Sequence, residues 1–122
     1  MPSIVIVEDE LIAAEYLKEI LLHNNFHVLD IIDNGKEAII KLPKLSPDIV
    51  LMDIMLKDDI TGREVALHLK QHTPQIAIVF LTAYVDNETL NYATESNTYD
   101  YLMKPYNEKN ILHTLKIVMN KI

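Results

Sequence analysis

Short aliphatic runs alternate with longer segments of helical periodicity along the whole chain, and this alternation restricts the fold more than any other feature. Ile4-Val5-Ile6-Val7 is apolar without a break, which suits a strand covered on both faces. Leu11 to Asn24 follows as a helix with Ala13, Leu17, Ile20 and Leu21 along one side. Val28 to Ile32 reads as a second strand, and Asp30 within it points to a sheet edge. A short helix from about Asn34 to Leu42 is expected to stop before Pro43. Asp48 to Asp53 is the third strand, and Thr61 to His72 the third helix, closed by Pro74. Ile76 to Leu81 is the most apolar strand and is expected to be central. Asp86 to Ser96 is a weak fourth helix, its stripe reduced to Leu90, Ala93 and Tyr92. Tyr99 to Met103 is a short fifth strand, and Asn107 to Asn120 a fifth helix with Ile111, Leu115 and Val118 inward. Five strands alternating with five helices imply an α/β fold, a parallel sheet with helices on both faces.

The length of 122 residues fits a single domain over 1–122, and an apolar share of 49% supports a real core. No cysteine is present, which removes disulfides and thiolate chemistry and suits a reducing compartment. Only Ile4 to Val7 is apolar near the start, so no signal peptide is read, and no run approaches the length of a membrane span. A cytoplasmic location without membrane contact is the expectation. Eleven basic against 18 acidic residues give a formal charge of −7, which disfavours direct nucleic-acid binding.

The unusual polar residues fall at the ends of the predicted strands. Glu8, Asp9 and Glu10 follow the first strand, Asp53 ends the third, Thr82 follows the fourth and Lys104 follows the fifth. In an open α/β sheet these carboxyl ends share one edge, where ligands bind at the reversal of strand order. Converging carboxylates repel one another and call for a cation, and an all-oxygen donor set favours a hard ion such as Mg²⁺. A carboxylate beside such an ion can attack a phosphoryl group, while an ammonium and a hydroxyl hold phosphoryl oxygens. These are the parts needed to form and hold an aspartyl phosphate.

Val7-Glu8-Asp9-Glu10, Leu51-Met52-Asp53-Ile54-Met55-Leu56, Phe80-Leu81-Thr82-Ala83-Tyr84 and Tyr101-Leu102-Met103-Lys104-Pro105-Tyr106 stand in that order. Together they resemble the signature segments of response-regulator receiver domains of two-component systems, over essentially the whole chain. The resemblance implies a flavodoxin-like doubly wound (βα)5 fold with strand order 2-1-3-4-5. It implies Asp53 as phosphoacceptor, with Asp9 and Asp53 as direct Mg²⁺ ligands, Glu8 acting through water and the Met55 carbonyl as a further ligand. Thr82 and Lys104 would bind phosphoryl oxygens, Thr82 and Tyr101 would form the switch, and the Lys104–Pro105 bond would be cis. Implied partners are a histidine kinase or a phosphotransfer protein. The surface of the fourth helix, fifth strand and fifth helix, with Asn91, Glu95, Tyr99, Asp100 and Lys116, would meet an output domain or a second copy. The chain would be a phosphorelay switch that assists its own phosphorylation and dephosphorylation, not a turnover enzyme. The loop from Asp53 to Gly62 is one residue longer than the family's commonest version.

Each residue also has a plainer reading. Glu8-Asp9-Glu10 would suit a helix N-terminus, Asp53 a turn, Thr82 a strand end, Lys104 a solvated surface, and Tyr101 ordinary packing. His68 and His72 have a zinc-compatible spacing, but two solvated histidines is the better reading. A haloacid-dehalogenase-like phosphohydrolase would want a second aspartate where Met55 stands. A flavin-phosphate binder would want a Ser/Gly-rich loop where three carboxylates stand. A pseudo-receiver, docking without phosphate, would be expected to lack a site residue.

Overall fold

The computed structural model describes residues 2–56, 58–83 and 98–122, with the backbone alone for residues 98–100. The described elements are β1 (Ser3–Val7), α1 (Leu11–His23), β2 (His27–Ile32), α2 (Gly35–Leu45), β3 (Ile49–Asp53), α3 (Gly62–His72), β4 (Ala77–Thr82), β5 (Thr98–Met103) and a last helix, Glu108–Lys121. The expected helix over Asp86–Ser96 lies outside the described residues. Every strand pair is parallel, and the sheet runs β2-β1-β3-β4-β5. This is the five-stranded flavodoxin-like order. β2 takes the edge that Asp30 signalled. β4 has a neighbour on each side and is buried throughout, but the middle of the sheet is β3 rather than β4.

The unbroken apolar strands follow from two cores. Ile4, Ile6, Ile49, Leu51, Val79 and Leu81 face one side, where they pack with α1 and the last helix. Val5, Val7, Val50, Met52, Ile78 and Phe80 face the other, against α2 and α3. Alternate residues of one strand therefore serve opposite cores, and neither face tolerates a polar residue. On α1 the inward small residue is Ala14, with Ala13 only half-buried. Both fit a helical stripe with Leu17, but Ala14 stacks on Leu17 and Leu21 at spacings of three and seven.

Asn34, Thr61 and Asn107 cap α2, α3 and the last helix by accepting from Glu37 N, Glu64 N and Asn110 N. Each of these helices thus begins one residue later than its periodicity suggests, because the cap is itself extended. The expected stop before Pro43 does not occur, and α2 continues to Leu45. Proline forfeits the bond to the Ile39 carbonyl. The turn survives because Leu42 is fully buried and its carbonyl accepts from Ser46 N at 2.9 Å, with Ser46 left-handed at the C-cap.

The chain's two glycines both lie where the β3–α3 loop meets a helix start. A Cβ on Gly62 would come within 2.3 Å of the Asp53 carbonyl oxygen, and one on Gly35 within 2.5 Å of the Ile60 carbonyl oxygen. Gly62 thereby lets α3 start directly against the backbone that carries Asp53. Gly62→Ala is expected to lower stability by about 1–3 kcal/mol, as overpacking does. Urea denaturation checks this, and an unchanged midpoint would show that the contact relaxes freely.

Candidate functional site

β1, β3 and β5 finish at the same edge of the sheet, with Glu8 directly after β1, Asp53 at the end of β3 and Lys104 directly after β5. The strands behind these groups are apolar and buried, and the charged groups pair with one another. Glu8, Asp9 and Asp53 each place a carboxylate oxygen within 4.8 Å of the other two. Glu8 and Asp53 are buried and Asp9 half-buried. The Lys104 Nζ donates to Asp53 Oδ2 at 2.9 Å and to Glu8 Oε1 at 3.4 Å. Met55 N–H donates to the other Asp53 oxygen, Oδ1, at 3.0 Å.

Thr82 lies at the buried end of β4, where its carbonyl accepts from Lys104 N at 2.7 Å. The Lys104–Pro105 bond is cis. Tyr101 is half-buried against the core under α2 and α3 and in register with Phe80. Glu10 occupies the N-cap of α1, but its side chain makes no capping hydrogen bond. Glu8, Asp9, Asp53, Met55 and Lys104 thus assemble in one place, and Thr82 borders it through its carbonyl bond to Lys104 N. Of the expected output surface, Asn91 and Glu95 lie outside the described residues, as do the side chains of Tyr99 and Asp100, while Lys116 is exposed. His68 and His72 stack with centroids 4.2 Å apart.

One residue the sequence did not single out also contributes. The Asp58 carboxylate accepts from Gly35 N at 3.1 Å and Lys36 N at 3.0 Å, bridging the loop after Asp53 to the start of α2. Burial pushes the Asp58 carboxyl up, but backbone N–H groups of Lys36, Gly35, Ile60 and Asp58 outweigh it and hold the group below its usual value. A lone aspartate in a loop carries no sequence mark of such a partner.

Burial pushes the Glu8 carboxyl up to about 8, helped by the adjacent Asp53 and opposed by Lys104. Partial burial works against the Lys104 charge, yet Asp53 and Glu8 outweigh it and keep its pKa above the ordinary value. Burial likewise lifts the Tyr106 phenol to about 12, so it stays neutral. Glu8 Oε2 is buried without a hydrogen-bond partner. A proton or a cation would complete it. An all-oxygen cluster with one orphaned carboxylate oxygen fits a hard divalent ion such as Mg²⁺.

The raised Glu8 value sets a pH dependence for the metal-free protein. The fold holds a proton that the unfolded chain releases near pH 4.5, so this contribution is complete below about 4.5 and is lost as pH rises toward about 8. In chelator, stability is therefore expected to fall across that window, and to fall much less in Glu8→Gln. Parallel pH profiles of the urea midpoint would refute this if the two proteins decline together.

Comparison with known proteins meets this geometry. A family model described as the response regulator receiver domain matches residues 4–116. The sensory transduction protein LytT of Bacillus anthracis is 39% identical over 117 residues, covering 95% of this chain and 46% of LytT. The response regulator protein VraR of Staphylococcus aureus is 32% identical over 83 residues, covering 68% of this chain and 39% of VraR. The chain thus spans less than half the length of these relatives. Among solved structures, the signal receiver domain of a modulated diguanylate cyclase from Desulfovibrio desulfuricans superposes with a TM-score of 0.88 at 36% identity, covering 99% of this chain and 95% of that one. Among the described residues no helix is long and apolar enough to cross a membrane. A family match over nearly the full length, on a five-stranded parallel sheet with its charges gathered at one edge, leads to one conclusion: the chain belongs to the response regulator receiver domains of two-component signalling.

Proposed function

We propose that this receiver domain is a phosphorelay switch in which Asp53 accepts a phosphoryl group from a partner histidine kinase or phosphotransfer protein. The observation that carries the proposal is the Lys104 ammonium held 2.9 Å from Asp53 Oδ2 inside a cluster of three carboxylates. Asp53 is the member that a phosphoryl group would reach. It is slightly open to solvent, whereas the side chain of Glu8 is wholly enclosed.

In the transfer, an Asp53 oxygen forms a bond to phosphorus as the donor's phosphorus–nitrogen bond breaks, and the freed imidazole takes up a proton. Lys104 exchanges its pairing with Asp53 for the incoming phosphoryl oxygens, and the Thr82 hydroxyl holds another. Asp9 and Asp53 would ligate Mg²⁺ directly, with Glu8 through water and Met55 through its carbonyl. The ion supplies charge compensation between carboxylate and phosphoryl group. Water attack on phosphorus later returns the free carboxylate, so the protein is a switch and not a turnover enzyme. The changed pull on Thr82 and the turning of Tyr101 would carry the signal to the surface formed by the segment at 86–96, β5 and the last helix, for an output domain or a second copy.

Incubation with acetyl phosphate and Mg²⁺, read by intact mass, is expected to add one phosphate to the protein and none to Asp53→Asn. Lys104→Ala is expected to slow the reaction by roughly 10²–10³-fold, the usual loss of one transition-state donor. Labelling that persists in Asp53→Asn would move the acceptor elsewhere.

A further inference from the structure

The loop between β3 and α3 is pinned at its start to β4 and to the Asp53 side chain, and its far end returns to Ile54. Ile54 N–H donates to Leu81 O at 3.3 Å, Met55 N–H donates to Asp53 Oδ1 at 3.0 Å, and Gly62 N–H donates to Ile54 O at 2.9 Å. Its middle is held from a different direction. Asp58 reaches across to the first turn of α2 and accepts from both Gly35 N and Lys36 N. Ile60 closes the same contact from below, so near Gly35 that no Cβ fits between them.

The first four amides of a helix lack partners within it. In α2, the Asn34 side chain satisfies one, by accepting from Glu37 N. Asp58, from 22 and 23 residues further along the chain, satisfies two more, Gly35 N and Lys36 N. A charged acceptor facing paired amides at the positive end of a helix makes a stronger bond than a neutral loop contact. Asp59 beside it is exposed, whereas Asp58 is half-buried. The bridge is therefore a directed contact and not one member of a solvated acidic run.

We infer that Asp58 is a positioning residue for the phosphoacceptor site: by clamping the middle of the loop to α2, it fixes the Met55 backbone against Asp53. The inference rests on the proposed function for its consequence, since the Met55 carbonyl is there a Mg²⁺ ligand. Its structural claim stands apart from that reading. Only two residues lie between Met55 and Asp58 in the sequence, so release of the clamp frees the loop on the side where it faces the carboxylates. A role confined to capping α2 would loosen that helix and leave Met55 unaffected. Asn34 provides the comparison, because it caps the same helix from the helix's own N-terminus and not from the loop.

The test is amide hydrogen exchange at Met55, with Mg²⁺ titration alongside, in the wild type, Asp58→Ala, Asp58→Asn and Asn34→Ala. In Asp58→Ala, Met55 exchange is expected to quicken and the Mg²⁺ Kd to rise, each on the order of tenfold. Asp58→Asn, which keeps an oxygen acceptor without the charge, is expected to fall between Asp58→Ala and the wild type. Asn34→Ala is expected to quicken exchange at Glu37 and leave Met55 within about twofold of the wild type. Met55 exchange unchanged in Asp58→Ala, or changed equally by Asn34→Ala, would overturn the inference. Should the wild type take no phosphate from acetyl phosphate, the proposed function fails, and the Met55 comparison still decides whether Asp58 positions the loop.

Discussion

Like charges pressed together at a buried edge are the constraint on which the rest of this molecule turns. Glu8, Asp9 and Asp53 bring oxygens within 4.8 Å of one another, and two of the three residues are buried. Removing a carboxylate from water without a partner is costly, and doing so beside another carboxylate costs more. Lys104 offsets part of this by bridging Glu8 and Asp53. What remains appears as the Glu8 carboxyl pushed up to about 8 and as an oxygen with no partner. Such a site gains from binding a cation, and a cation makes it receptive to a phosphoryl anion. The strain that the fold accepts at this edge is what the proposed phosphoryl chemistry would use.

The remaining architecture serves that edge. Strands buried on both faces can place polar groups only at their ends, and parallel pairing sends those ends the same way. Gly62 brings α3 against the Asp53 backbone, and Gly35 admits Ile60, so the loop after Asp53 is short of freedom on two sides. Precision at the carboxylates thus comes from backbone contacts as much as from the carboxylates themselves.

Much of this is legible in the amino-acid sequence where physics acts locally. Ile4 to Val7 and Ile76 to Leu81 announce strands with no wet face, and a polar residue directly after each apolar run marks the functional edge. Local rules mislead where tertiary packing outweighs them. Pro43 should end a helix, yet the buried Leu42 carries α2 past it. Asn34, Thr61 and Asn107 look helical by position and serve instead as caps. Ala13 and Ala14 fit nearly the same stripe, and only the packed helix separates them. Asp58 is the clearest omission, because its partners Gly35 and Lys36 are near in space and remote in sequence. The relation between Glu8 and its neighbours is of the same kind: its type and position are visible in the sequence, and its burial is not.

The proposed switch requires Asp53 and Mg²⁺ to form one phosphoryl-binding site. Fluorine NMR of the protein with beryllofluoride, which mimics a phosphoryl group on a carboxylate, tests this most directly. A bound fluoride signal is predicted that requires Mg²⁺, vanishes in Asp53→Asn and weakens in Lys104→Ala. A bound signal that persists in Asp53→Asn, or its absence from the wild type with Mg²⁺ present, would contradict the account.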